Sequence, residues 1–135
     1  MNRKLIIILL IVLTVSMFGC GKYNAFKALG VKEENVPKYK VSGEISNSQK
    51  VNNKEVKQKY ISINATGKSE EDIKKMAADF IQKNPDLDLI LISIKSGPKE
   101  NYTVEYYANK DATDLAGVKK KIDRYPVIFF EKAKK

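Results

Sequence analysis

Asp86 and Asp88 stand two residues apart just ahead of an apolar run, the nearest approach in this chain to a paired-carboxylate constellation. Glycoside hydrolysis needs two carboxyls about 5–9.5 Å apart across a cleft. One small domain leaves little room for such a cleft, so solvated loop charge is the better reading. The pair also lacks the spacing of an EF-hand calcium loop. Seven serines between Ser42 and Ser96 lie among many lysines, which leaves a Ser-Lys dyad open, yet no motif lifts one above background. Gly67-Lys68-Ser69 imitates the end of a phosphate-binding loop, but no glycine lies five positions before Gly67. Those residues read instead as a strand end and a helix cap. The 135-residue chain contains no histidine, which removes Ser-His-Asp and Cys-His catalysis, the common zinc sites and a histidine general base. The expectation is a protein that is not an enzyme, with no catalytic residues, no metal and no cofactor. A small hydrolase using Asp, Ser or Lys is the residual catalytic alternative.

Cys20 is the only cysteine. It follows Met1-Asn2-Arg3-Lys4, an apolar run from Leu5 to Phe18, and Gly19. A positive start, an apolar stretch of roughly 7–15 residues and a small residue before the cut describe an export signal. With the cysteine directly after it, Ser16-Met17-Phe18-Gly19-Cys20 resembles the cleavage site of bacterial prolipoproteins. Gly19 and Cys20 fit that pattern; Met17 and Phe18 depart from the leucine and small residue usual in the family. The resemblance implies cleavage between Gly19 and Cys20, a covalent diacylglycerol and N-acyl lipid (palmitate among them) on Cys20, and a cell-membrane location, lipid-anchored on the extracytoplasmic face. An uncleaved membrane helix is the alternative, but spanning takes about 20 apolar residues, more than Leu5 to Phe18 supply. Residues 1–19 are thus read as a signal peptide, 20–37 as a lipidated N-terminus and tether, and 38–135 as one small domain.

Lys and Arg number 25 against 16 Asp and Glu. Losing Arg3 and Lys4 with the signal takes the formal charge from +9 to +7 and leaves Arg124 as the sole arginine. A lysine-rich exterior suits anionic headgroups or an anionic wall polymer; nucleic acid, read best by arginine, is not expected. Lys119, Lys120 and Lys121 are the densest basic run. Tyr107 is the aromatic residue expected on an exposed strand face, where with those lysines it would form a surface for a sugar ring or polymer.

The elements that must position these groups follow from periodicity. Ala25, Phe26 and Leu29 form one apolar face of a short helix ended by Gly30. Tyr39, Val41, Gly43 and Ile45 alternate with polar residues and predict a half-buried strand; Ser46 to Lys54 reads as a flexible hairpin loop. Alternation resumes from Glu55 to Thr66, with Ile61, Ile63 and Ala65 on one face. Ser69-Glu70-Glu71-Asp72 opens a helix: it comes close to a capping box, with Asp where Glu or Gln is preferred, and puts its acidic residues where the helix dipole favours negative charge. Ile73, Met76, Ala77, Phe80 and Ile81 make its apolar stripe, Lys74, Lys75, Asp79 and Gln82 its wet face, and Asn84-Pro85 its end.

Leu89-Ile90-Leu91-Ile92 is apolar on both faces, as in a covered central strand. Asn101 to Ala108 is a further strand, and Asp114 would cap a short helix carrying Leu115, Val118 and Ile122 inward. Pro126 to Phe130 is either a last edge strand or an extended cover. The total is an α+β two-layer sandwich on a mainly antiparallel sheet, β-β-α-β-β then α-β, with one amphipathic helix on one face. The expected role is a non-catalytic binding module held to the membrane by its lipid, with an envelope protein or an anionic wall polymer as partner. An accessory subunit of an envelope complex, such as an assembly, exclusion or immunity factor, is the second reading.

Overall fold

The computed structural model describes residues 23–134. Its elements run α1 (Ala25–Ala28), β1 (Val41–Val51), β2 (Lys54–Asn64), α2 (Glu70–Gln82), β3 (Leu89–Gly97), β4 (Glu100–Tyr107), α3 (Lys110–Ala116) and β5 (Val127–Lys134). The strands form one sheet in the order β1-β2-β3-β4-β5. Only β2 and β3 are parallel, because α2 carries the chain back over the sheet between them; every other pairing is antiparallel. The fold is therefore the expected α+β arrangement, with the doubly apolar β3 at its centre.

The main core lies between the helices and one sheet face. Ile73, Met76, Ala77, Phe80 and Ile81 of α2 meet Ile61, Ile63, Ile90, Ile92, Ile94 and Val104. Ser69 caps α2 through its hydroxyl, which accepts from the Asp72 amide at 3.2 Å. Lys75 sits nearer the covered side than helical spacing implies: it is buried, with its ammonium 4.0 Å from Glu71. A flexible aliphatic stem tolerates burial while its charge reaches outward.

The N-terminal segment is not a free tether. Ala25, Phe26 and Leu29 are buried in the main core, and Tyr23 packs its ring 5.8 Å from Tyr106. The apolar face expected of this short helix, Ala25, Phe26 and Leu29, is the face that packs onto the domain.

Two other expectations are corrected, and one open alternative is decided. Ser46 to Lys54 is no loop: β1 and β2 pair without interruption to Val51↔Lys54 and close through Asn52-Asn53, at φ 52° and 66°. Two positive-φ residues form the hairpin turn whose twist matches the strands, and asparagine tolerates that geometry. In α3 the cap is Asn109, whose side chain accepts from the Ala112 amide at 3.0 Å; Asp114 lies inside the helix, which ends at Gly117 with φ 71°. Of the two readings of Pro126 to Phe130, the edge strand holds from Val127 onward: β5 pairs with β4 from Tyr107↔Val127 to Glu100↔Lys134.

A second, smaller cluster covers part of the opposite sheet face. Val56, Leu89, Tyr107 and Ala112 are its buried members, with Leu115, Val118, Tyr125, Val127 and Phe129 packed around them. Helix α3 is only seven residues long, so it roofs one end of that face and leaves the other end open.

Candidate functional site

Gly19 and Cys20 lie outside the described residues. Among the described residues no helix is long and apolar enough to cross a membrane, and no three side chains of metal-ligating type gather together.

Tyr107 is not an exposed platform. It is 1% exposed beneath α3, its hydroxyl donates to Glu105 Oε1 at 2.6 Å, and its ring centre lies 6.1 Å from that of Phe129. Burial, reinforced by the Glu105 carboxylate, pushes the phenol well above its ordinary range. The strand period places Tyr107 on this face correctly; it contains no information that α3 folds over it.

Lys119, Lys120 and Lys121 are exposed on the segment after α3. Lys119 and Lys120 join Tyr107, Glu105 and Phe129 around a shallow depression of about 260 Å³, which Lys121 does not line. Lys120 is already engaged, with its ammonium 4.5 Å above the Phe129 ring and 3.7 Å from Glu131. It braces the roof segment against β5.

The aspartate pair is divided. Asp86 is exposed, whereas the Asp88 carboxylate accepts from the Lys57 amide at 2.9 Å and from Asn109 Nδ2 at 3.1 Å. Its backbone donates to the Lys57 carbonyl and accepts from the Ala108 amide, both at 2.8 Å. Asp88 thus knots together the ends of β2, β3 and β4, a structural duty that uses both carboxylate oxygens.

The surface left open is the unroofed end of the sheet. The strand registers align Ile45, Tyr60, Leu91 and Glu105 in one row across four strands, and Gly43, Ser62, Ser93 and Thr103 in the next. Together they line a shallow groove of about 410 Å³. Among the described residues, Ile45 and Tyr60 are the large hydrophobic residues most exposed to solvent, at 64% and 36%. The Tyr60 hydroxyl donates to Gln58 Oε1 at 2.7 Å, two residues back on the same strand, which leans the ring along β2.

Alternation in the sequence assigns Val41 and Ile45 to one face; the structure separates them. Val41 pairs with Ile63, but Gly43 pairs with Ser62, so an irregularity at Ser42 shifts the register by one residue. Because side chains alternate with a period of two, one extra residue moves everything after it to the other face. Val41 packs against the main core, and Ile45 is left on the open side. The only local signal is Ser42-Gly43, a small pair inside a strand, and the Ser42 hydroxyl donating to the Ser62 carbonyl at 3.1 Å fills the bulge.

Beside this groove runs the outer edge of β1, which pairs with no other strand among the described residues. All nine residues from Ser42 to Lys50 are exposed, since the strand projects past the helices on one side and past α3 on the other. Glu44 reaches back to Lys59 at 2.6 Å. No family model matches the chain, and no curated protein or solved structure matches it either.

Proposed function

We propose that this chain is a membrane-anchored lipoprotein whose domain is a non-catalytic interaction module on the extracytoplasmic face. The anchoring half rests on the basic start, the apolar run and Gly19-Cys20. The position of Tyr23, packed on Tyr106 three residues beyond Cys20, is consistent with it. Three extended residues span about 10 Å, so a lipid on Cys20 would hold the domain close against the bilayer.

The interaction half is carried by one observation: Ile45 and Tyr60, exposed and opposite one another, sit on an open sheet face beside an unpaired edge. A shallow apolar row bordered by hydroxyls suits a large partner, whereas small-molecule sites are concave and bury most of their ligand. Reading the domain as non-catalytic draws on the absence of histidine from the chain. The bracing role of Asp88 agrees with it.

Metabolic labelling with a clickable fatty acid tests the anchor. Label on the wild type, none on Cys20→Ala, and a mass increase when lipoprotein signal peptidase is blocked are the expected results. An unlabelled protein of full-length mass would make it a signal-anchored protein instead. Photocrosslinking from position 60 of the membrane-bound chain tests the contact surface. A discrete adduct that Ile45→Lys removes is expected, and a yield unaffected by Ile45→Lys would rule this face out.

A further inference from the structure

The two edges of the sheet are unlike. The β5 edge starts beside Pro126 and carries Glu131 and Lys132 near its end, with Lys132 turned onto the Tyr102 ring at 5.6 Å. Proline and closely spaced charge are the usual means of blunting an edge against another strand. Along β1, from Gly43 to Val51, there is no proline, and the only charges are Glu44 and Lys50. Between them lie Ile45, Ser46, Asn47, Ser48 and Gln49, uncharged and exposed.

The pairing of β1 with β2 decides which backbone groups that edge offers. Val51↔Lys54 closes a two-residue hairpin, and the closing pair of such a hairpin is hydrogen-bonded. Odd-numbered residues therefore spend their amides and carbonyls on β2, and even-numbered ones from Glu44 to Lys50 turn theirs outward. Ser48 agrees with this: its amide donates to the neighbouring Asn47 Oδ1 at 2.8 Å, a local substitute for a strand partner.

We propose that the β1 edge binds the β1 edge of a second copy of this chain, antiparallel, with Asn47 of one copy opposite Asn47 of the other. This register sets Glu44 of each copy against Lys50 of the other, twice by symmetry. Even-numbered residues then face even-numbered ones, as outward-facing amides require. On the helix side, Lys50 stands between Glu55 across β1 and β2 and Glu44 of the second copy, so charges alternate in sign along the row. On the open side, Gln58 and Asn47 are neighbours and continue into Asn47 and Gln58 of the second copy, an amide ladder four strands wide. Moving the register by two residues in either direction places both charges opposite uncharged or turn residues. The result is a ten-stranded sheet whose two-fold axis passes beside Asn47, a self-complementary contact of the commonest oligomeric kind.

Cysteine crosslinking of the full-length chain in membranes tests this, with the wild type as control for Cys20. Under mild oxidation Asn47→Cys gives a covalent dimer, because the two side chains meet at a pair that is not hydrogen-bonded, where side chains stand closest. Gln49→Cys gives at least fivefold less, since its two copies lie four residues, about 14 Å, apart along the strands at 3.4 Å per residue. Adding Glu44→Lys to Asn47→Cys lowers the dimer at least fivefold, and adding Lys50→Glu as well restores it. Absence of an Asn47→Cys dimer, equal yields at 47 and 49, an adduct only with some other chain, or no rescue by the charge swap would each overturn the proposal. Those results leave lipid labelling of Cys20 unaffected, so this contact and the anchoring reading fail separately.

Discussion

Gln82, on the last turn of α2, grips the backbone on both sides of Asn24: its Oε1 accepts from the Ala25 amide at 2.9 Å and its Nε2 donates to the Tyr23 carbonyl at 2.9 Å. One amide side chain thereby supplies both a donor and an acceptor to a segment that has no strand partner. That bond pair fixes Tyr23 and Ala25 against the end of α2.

Gln82→Ala leaves the Ala25 amide and the Tyr23 carbonyl without this partner, at a cost of about 1–3 kcal/mol. The loss is expected to be local. Hydrogen exchange at residues 25–31 should quicken at least tenfold while β3 and β4 stay protected; uniform quickening across the sheet would contradict a local clamp.

Phe26 is 3% exposed in the main core. Phe26→Ala should therefore cost about 3 kcal/mol or more, as buried phenylalanine truncations do. Urea denaturation measures it through the midpoint. A cost below about 0.5 kcal/mol, the size usual for surface positions, would return residues 23–31 to the status of a linker.

Tyr39 donates to Asp79 Oδ2 at 2.7 Å, and Lys83 lies 3.0 Å from the same oxygen. Burial first, then the Asp79 hydrogen bond and charge, raise the Tyr39 phenol above its ordinary value; burial, with Tyr106, pushes Tyr23 up to about 12. Both phenols hold their protons more tightly folded than unfolded. Their contribution is complete below the unfolded value of about 10 and is lost as pH rises towards the folded values. Tyr39→Phe should lower stability by about 1 kcal/mol at pH 7, and the gap from wild type should narrow above pH 10. Melting curves from pH 7 to 11 check this, and a gap that widens with pH would contradict it.

Asn53 sits at φ 66° in the two-residue turn between β1 and β2. Glycine suits that position better, so Asn53→Gly should stabilise the chain by roughly 0.5 kcal/mol. A rise in melting temperature of a few degrees is the expected readout. A fall would mean that the turn is not the two-residue one described.

Much of the fold was legible because it depends on short-range regularities. The α2 stripe, its Ser69 cap, the doubly apolar β3 and the strand before Ala108 all repeat over a few residues, and the structure returns them within two or three positions. Asn109 was missed as a cap because Asp114, a residue of similar chemistry, lies close by, and only the bond to the Ala112 amide distinguishes them. The hairpin joining β1 and β2 is legible, but not the length of its strands: Ser, Asn, Gln and Lys from Ser46 to Lys50 read as loop by composition, and pairing with β2 makes them strand.

What the sequence determined by itself was the basic start and apolar run ahead of Cys20, the absence of histidine and the identity of the periodic elements, all properties of neighbouring residues. Tertiary structure alone decided that Tyr107 is buried, that Asp88 is a brace and that Ile45 is exposed. Each outcome hangs on a contact between distant segments: α3 folded over β4, Asn109 reaching Asp88, and a one-residue slip at Ser42 against β2. Local pattern states which face a side chain takes only while the register holds, and it never states what the rest of the chain lays over that face.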